Sequence, residues 1–150
     1  MPEKETLKRA AEDKREGKSP STQAGEFVHE EIEHIREGKH GARSTKQAIA
    51  IGLSKARRAG VDLPPPEPGT TSESTRKQAK RELKKAKSGS RSKNAKSTKR
   101  SRAVRAALKR EGRSAASKTA LSRQAKSAAK RRTAASRSRS AKKAAATRKK

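Results

Sequence analysis

The run RSTKQAIAIGLSKARRAG, from Arg43 to Gly60, carries both a helix start and a helix stop. Ser44-Thr45-Lys46-Gln47 is a capping box: a serine hydroxyl can accept an early backbone N–H while a glutamine three residues on reaches back. Gly60 followed by Val61 matches a Schellman stop, with glycine in the left-handed position and Val61 folded over Ala56. Between them Ala48, Ile49, Gly52, Leu53, Ala56 and Ala59 form a narrow stripe at helical spacing. Small residues on such a stripe let a second helix approach closely, so the run predicts one half of a helix pair.

The partner lies just upstream. Over about Thr22 to Glu37, the residues Ala24, Phe27, Val28, Ile32 and Ile35 fall on one arc, interrupted only by Glu31. Glu26, Glu30, Glu33 and Glu37 share another arc, where like charges repel. Arg43, Lys46, Arg57 and Arg58, or the chain's own basic end, are the expected counterions. The link from Gly38 to Arg43 is short enough for antiparallel neighbours. Residues 22–63 are therefore expected to form a helical hairpin. Ile51 lies off the packing stripe and is expected to meet a second copy of the chain or the first helix.

Residues 1–21 hold one more short helix, from about Glu3 to Glu16. The segment Lys14-Arg15-Glu16-Gly17-Lys18 recurs nearly intact at Ile35–Lys39 and Lys109–Arg113, and all three copies are expected to be helix ends with a left-handed glycine. Residues 64–70 hold Pro64, Pro65, Pro66, Pro68 and Gly69, an extended spacer. Beyond it, Ala, Ser, Lys and Arg make up 62 of 80 residues. Charge divides the chain at the same place. Residues 1–70 carry 13 Lys and Arg against 12 Asp and Glu, while residues 71–150 carry 30 against 3. Self-repulsion of that size opposes collapse. The expected fold class is all-α: a short helical hairpin followed by a long, mostly disordered cationic tail at 71–150 that becomes helical on binding. Candidate helical pieces are Thr70–Lys87, opened by a Thr70-x-x-Glu73 box, Thr98–Glu111 and Ser114–Arg132. In the middle piece Arg102, Arg105, Lys109 and Arg110 share one side, and Val104, Ala107 and Leu108 the other.

Composition excludes several classes of function. Val, Ile, Leu and Phe number 14 in 150 residues, and Phe27 is the only aromatic, so no walled catalytic pocket is expected and the chain is read as non-enzymatic. Without cysteine there is no disulfide or thiolate site. His29 and His34 are five apart, not the four that places two ligands on one helical face, so neither metal nor cofactor is expected. No signal peptide and no membrane span is expected, because no long apolar run exists.

The stretch Arg43–Gly60 resembles a family of small uncharacterised bacterial proteins, in which a hydroxyl and a basic residue lead into Gln-Ala-Ile-Ala-Ile and a helix ending in alanines and basics. The resemblance implies no activity. Residues 71–150 resemble the Lys/Ala/Ser-rich arms of bacterial histone-like proteins and linker histones, and the basic ends of small proteins labelled plasmid stabilisation. That likeness implies a nucleoid role in the bacterial cytoplasm, or a nuclear one in a eukaryote.

The charge itself points to nucleic acid. A cationic arm gains affinity by releasing counterions condensed on phosphates, which needs charge density rather than fixed geometry. The candidate phosphate contacts are Arg100, Arg102, Arg105, Lys109, Arg110, Arg123, Lys126, Lys130, Arg131, Arg132, Arg137, Arg139, Lys142, Lys143, Arg148, Lys149 and Lys150. Aromatics for stacking bases are missing from this half, and amides for base readout are only Gln78, Asn94 and Gln124, so double-stranded DNA bound without sequence selection is the expected partner. RNA or the ribosome is the alternative partner. A third alternative makes the hairpin a protein-interaction adaptor, or a homodimer contact, with the tail as an anchor.

Overall fold

The computed structural model describes residues 2–88 and 98–148, which form seven α-helices and a 3-10 turn, with no strand among them. The order is α1 (Lys4–Arg15), α2 (Pro20–Arg36), α3 (Thr45–Arg58), α4 (Glu73–Lys87), α5 (Thr98–Arg110), the 3-10 turn Ser114–Ala116, α6 (Lys118–Lys130) and α7 (Ala134–Arg148). The all-α expectation stands, and none of the described helices is long and apolar enough to cross a membrane.

Local chemistry sets the helix ends. Ser19 caps α2 and Pro20 opens it, two residues earlier than the apolar period suggested. Ser44 Oγ accepts from the Gln47 amide at 3.2 Å, and Gln47 Oε1 accepts from the Arg43 amide at 2.7 Å, one residue outside the expected box. At the other end Val61 N donates to Ala56 O and Gly60 N to Arg57 O, both at 3.1 Å, the paired bonds of a Schellman motif. Gly17 and Gly38 close α1 and α2 in the same left-handed way, with φ of 70° and 79°. The third copy departs from the repeat. Gly112 has no positive φ, and its carbonyl instead accepts from Ala42 N at 3.2 Å.

Helices α2 and α3 cross at Gly52, where an added Cβ would stand 2.7 Å from Val28 Cα. One core cluster unites Ala10 of α1 with Ala24 and Phe27 at the start of α2, Ala56 at the end of α3, and Val61 and Leu63. A second unites Ile32, Ile35, Ala42 and Ala48 with Ala115 and Ala116, with Val28 and Leu121 packed against them. The start of α2 thus meets the end of α3, as an antiparallel hairpin requires.

The second cluster corrects the expectation of a long disordered tail. Part of the basic half belongs to the core, because Ala115 and Ala116 are small enough to enter between α2 and α3. Gly41 N donates to Leu108 O at 2.9 Å, Thr45 Oγ1 to Ala115 O at 2.7 Å and Arg36 Nε to Ala116 O at 3.1 Å. The remaining described tail is helical through its Ala, Lys and Arg content and its serine caps. Ser72, not Thr70, caps α4, and Ser117 caps α6. Ala134–Arg148 is a helix that no apolar period announced. On the expected apolar side of α5, Val104 is 54 % exposed, Ala107 is exposed and Leu108 is half-buried, so it is not a packed face.

After the prolines the chain turns back, and α4 packs on α3. Glu82 of α4, buried, accepts from Ser54 Oγ and from Gln78 Nε2 and pairs with Arg58. Ile51, half-buried, lines the groove between these two helices. Arg57 is buried and donates to the carbonyls of Leu63 and Pro64, which holds the run after α3 in place; burial lowers its pKa.

Candidate nucleic-acid interface

Two helix starts converge on one open groove of about 710 Å³. Arg43, Ser44, Thr45 and Lys46 reach it from the start of α3; Ser117, Thr119 and Arg123 reach it from the start of α6. Helix N-termini present backbone N–H groups and partial positive charge, so anions are favoured there. Thr45 is committed to Ala115, and Ser44 and Ser117 cap their own helices. The cations that line the groove are Arg43, Lys46 and Arg123, although Arg43 Nε also lies 3.6 Å from a Glu111 oxygen.

The cations singled out in the sequence lie mostly outside this groove. Arg123, Lys126 and Lys130 recur at three- and four-residue spacing, so they line one exposed face of α6 running away from the groove. Arg131 and Arg132 follow in the turn, and Arg132 Nη2 donates to Ser136 and Ser140 of α7. Arg100, Arg102, Arg105, Lys109 and Arg110 are exposed on α5, and Arg137, Arg139, Lys142, Lys143 and Arg148 are exposed on α7. Lys149 and Lys150 lie outside the described residues, as does Asn94. Only Arg123 of the set lines the groove between α3 and α6. Arg43 and Lys46, which also line the groove, stand outside the set of candidate phosphate contacts because the sequence reading makes them counterions of the acidic arc. The signal was present in the two cations that flank the capping serine.

The acidic arc of α2 is compensated locally, which corrects the expected counterions. Glu26 pairs with Arg9 at 2.9 Å, Glu33 with Arg36 at 2.8 Å, and Glu37 with Lys39 at 2.9 Å. Glu30 is buried. Burial opposes its ionisation, yet the Glu3 amide, the Thr6 hydroxyl and Lys55 together hold its carboxyl below the ordinary range. Helix α1 and Lys55 therefore serve this face, and among the described residues, Lys143 set aside, no ion pair joins these four glutamates to a cation of residues 71–150.

Residues 21–67 match a family described as "Family of unknown function (DUF6496)". No curated protein and no solved structure matches the chain. The family match spans nearly all of α2, the whole of α3 and the run up to Glu67, and it agrees with the expectation of a small uncharacterised family.

Proposed function

We propose that this protein binds duplex DNA without sequence selection and compacts it, as a non-enzymatic, histone-like architectural protein of the nucleoid. One observation carries the reading. The cations from Arg100 to Arg148 named above are exposed, and, Lys143 set aside, none of them makes an ion pair with a carboxylate among the described residues. Charge left without a counter-charge in the protein attracts a polyanion. Side chains that read base edges need a rigid amide or guanidinium placed in a groove, and this half supplies mainly point charges on alanine- and serine-rich helices. Affinity then comes from counterion release, and specificity from shape. The likeness of residues 71–150 to histone-like arms points the same way.

Titration of the full chain against fluorescent duplexes of unrelated sequence, across a range of salt, tests the proposal. If about ten phosphates are engaged, log K falls with log salt at a slope near −9. Changing Arg123, Lys126 and Lys130 together to Gln should reduce the slope by about 3, since each phosphate contact contributes about 0.9. Unrelated duplexes should bind alike. Affinity indifferent to salt, or a preference for structured RNA over duplex DNA of more than about tenfold, equal to about 1.4 kcal/mol, would reject it.

A further inference from the structure

Away from the basic surface, the fold gathers three metal-ligating side chains that sequence spacing does not pair. Glu31 and His34 stand one turn apart on α2, and His40 enters from the loop beyond Gly38. One carboxylate oxygen of Glu31 and one ring nitrogen of each histidine lie within 4.8 Å of one another. His40 Nε2 is 3.3 Å from Glu31 Oε1, and the two imidazoles meet edge to face with centroids 6.2 Å apart.

Glu31 points to a ligand. It is 1 % exposed, and neither carboxylate oxygen has a hydrogen-bond partner. Lys55 Nζ stands 2.7 Å from Oε2, close enough for ion pairing but without hydrogen-bond alignment. We infer that Glu31, His34 and His40 form a binding site for a divalent late first-row transition ion of the zinc type.

The chemistry and the distances both suit such an ion. Two imidazoles and one carboxylate are ligands that zinc accepts, with a fourth position left for water. Zinc–ligand bonds of about 2.0–2.1 Å in a tetrahedron place neighbouring ligand atoms about 3.3 Å apart. The His40–Glu31 pair already has that separation, so closure needs only a small shift of the His34 ring. Orienting contacts are present as well. His40 Nδ1 lies 3.1 Å from the Gly41 carbonyl, and His34 Nε2 lies 2.9 Å from Glu3 Oε1. Such outer partners orient ligating histidines and are worth about 10–100-fold in metal affinity. The nearby charges are Glu3, Glu30, Glu31 and Glu37 against Lys39 and Lys55, two negative charges in excess before an ion enters.

An ion here would tie α2 to the loop that carries Gly41 and Ala42. These are the two amides that hold the end of α5 and Gly112. Metal binding would thereby stabilise the docking of the basic half onto the hairpin.

The test uses the full chain, stripped with chelator and titrated with Zn²⁺ by calorimetry and with Co²⁺ by visible absorption. One ion per chain is expected, with the intense visible bands of a four- or five-coordinate Co²⁺ site, and with a rise in melting temperature when Zn²⁺ is added. His34→Gln and His40→Gln should each abolish the bands, while His29→Gln, at an exposed position on the same helix, should leave them unchanged. Glu3→Gln should weaken binding about tenfold with the spectrum retained. Circular dichroism of each variant separates loss of the site from loss of the fold. Wild-type protein that shows neither saturable Zn²⁺ heat nor visible Co²⁺ bands overturns the inference, whatever the variants do. Bands that survive in folded His34→Gln or His40→Gln overturn it equally.

Discussion

Three glycines show how unequal the same residue can be. Gly25 lies within α2 with nothing inside 4 Å of an added Cβ, so alanine there gains helix propensity without a clash. Gly25→Ala should stabilise the protein by about 0.5–1 kcal/mol. Gly52 faces the Val28 backbone, which cannot rotate aside as a side chain can. Gly52→Ala should push α2 and α3 apart and cost about 1–3 kcal/mol. At Gly41 an added Cβ would overlap the Glu111 carbonyl, so Gly41→Ala should loosen the 108–112 segment at a similar cost. Denaturant midpoints of the three variants, with unchanged m-values, check the ordering; a destabilised Gly25→Ala or a neutral Gly52→Ala would contradict it.

At the scale of elements, the decisive contact is the 3-10 turn seated between α2 and α3. It is held by two alanines and two side-chain donors, Thr45 and Arg36, aimed at consecutive carbonyls. Thr45→Val keeps the shape of the side chain but leaves the Ala115 carbonyl buried without a donor. The expected cost is about 1–3 kcal/mol, with Thr45→Ser close to wild type because it retains the hydroxyl. Amide exchange should locate the effect: the amides of Ala116 and Ser117, bonded to Arg113 O and Ser114 O, should lose protection before those of α2. Uniform loss across the molecule would mean that the turn unfolds only with the whole. Helix α7, by contrast, shares no core cluster with the hairpin among the described residues.

For the whole molecule, the balance between helix propensity and charge repulsion governs the basic half. The Debye length falls from about 30 Å at 0.01 M salt to about 8 Å at 0.15 M. Like charges one turn apart on α5 and α7 then repel less, so helical ellipticity should rise over that range. Duplex DNA at low salt should produce a similar rise, since phosphates supply the missing counter-charge. Ellipticity that is flat in both titrations would show that repulsion is not what limits these helices. The acidic arc of α2 predicts the opposite behaviour. Its charges are already paired with Arg9, Arg36, Lys39 and Lys55, so DNA binding should not have to compete for them. Replacing Glu26, Glu33 and Glu37 with Gln should therefore change DNA affinity no more than a control with three glutamines at Glu5, Glu12 and Glu16.

What the sequence determined alone was local and periodic. Caps at Ser44, left-handed stops at Gly17, Gly38 and Gly60, and the apolar arcs of α2 and α3 follow from rules that act within a few residues. The small stripe of α3 also announced the close crossing at Gly52, because only a missing side chain permits that approach. The charge asymmetry likewise needs no fold to be read. Tertiary structure alone decided which distant groups met. Ala115 and Ala116 carry no hydrophobic period, and they enter the core only because the Gly41–Ala42 loop offers amides and space. Gly112 shares its repeat with Gly17 and Gly38, yet its conformation follows from the loop it bonds. His34 was weighed against His29 on one helix, while its neighbour in space is His40, delivered by the turn at Gly38. Contacts of this kind depend on where the chain reverses and how closely two backbones approach, and those are properties of the packed molecule rather than of any short stretch within it.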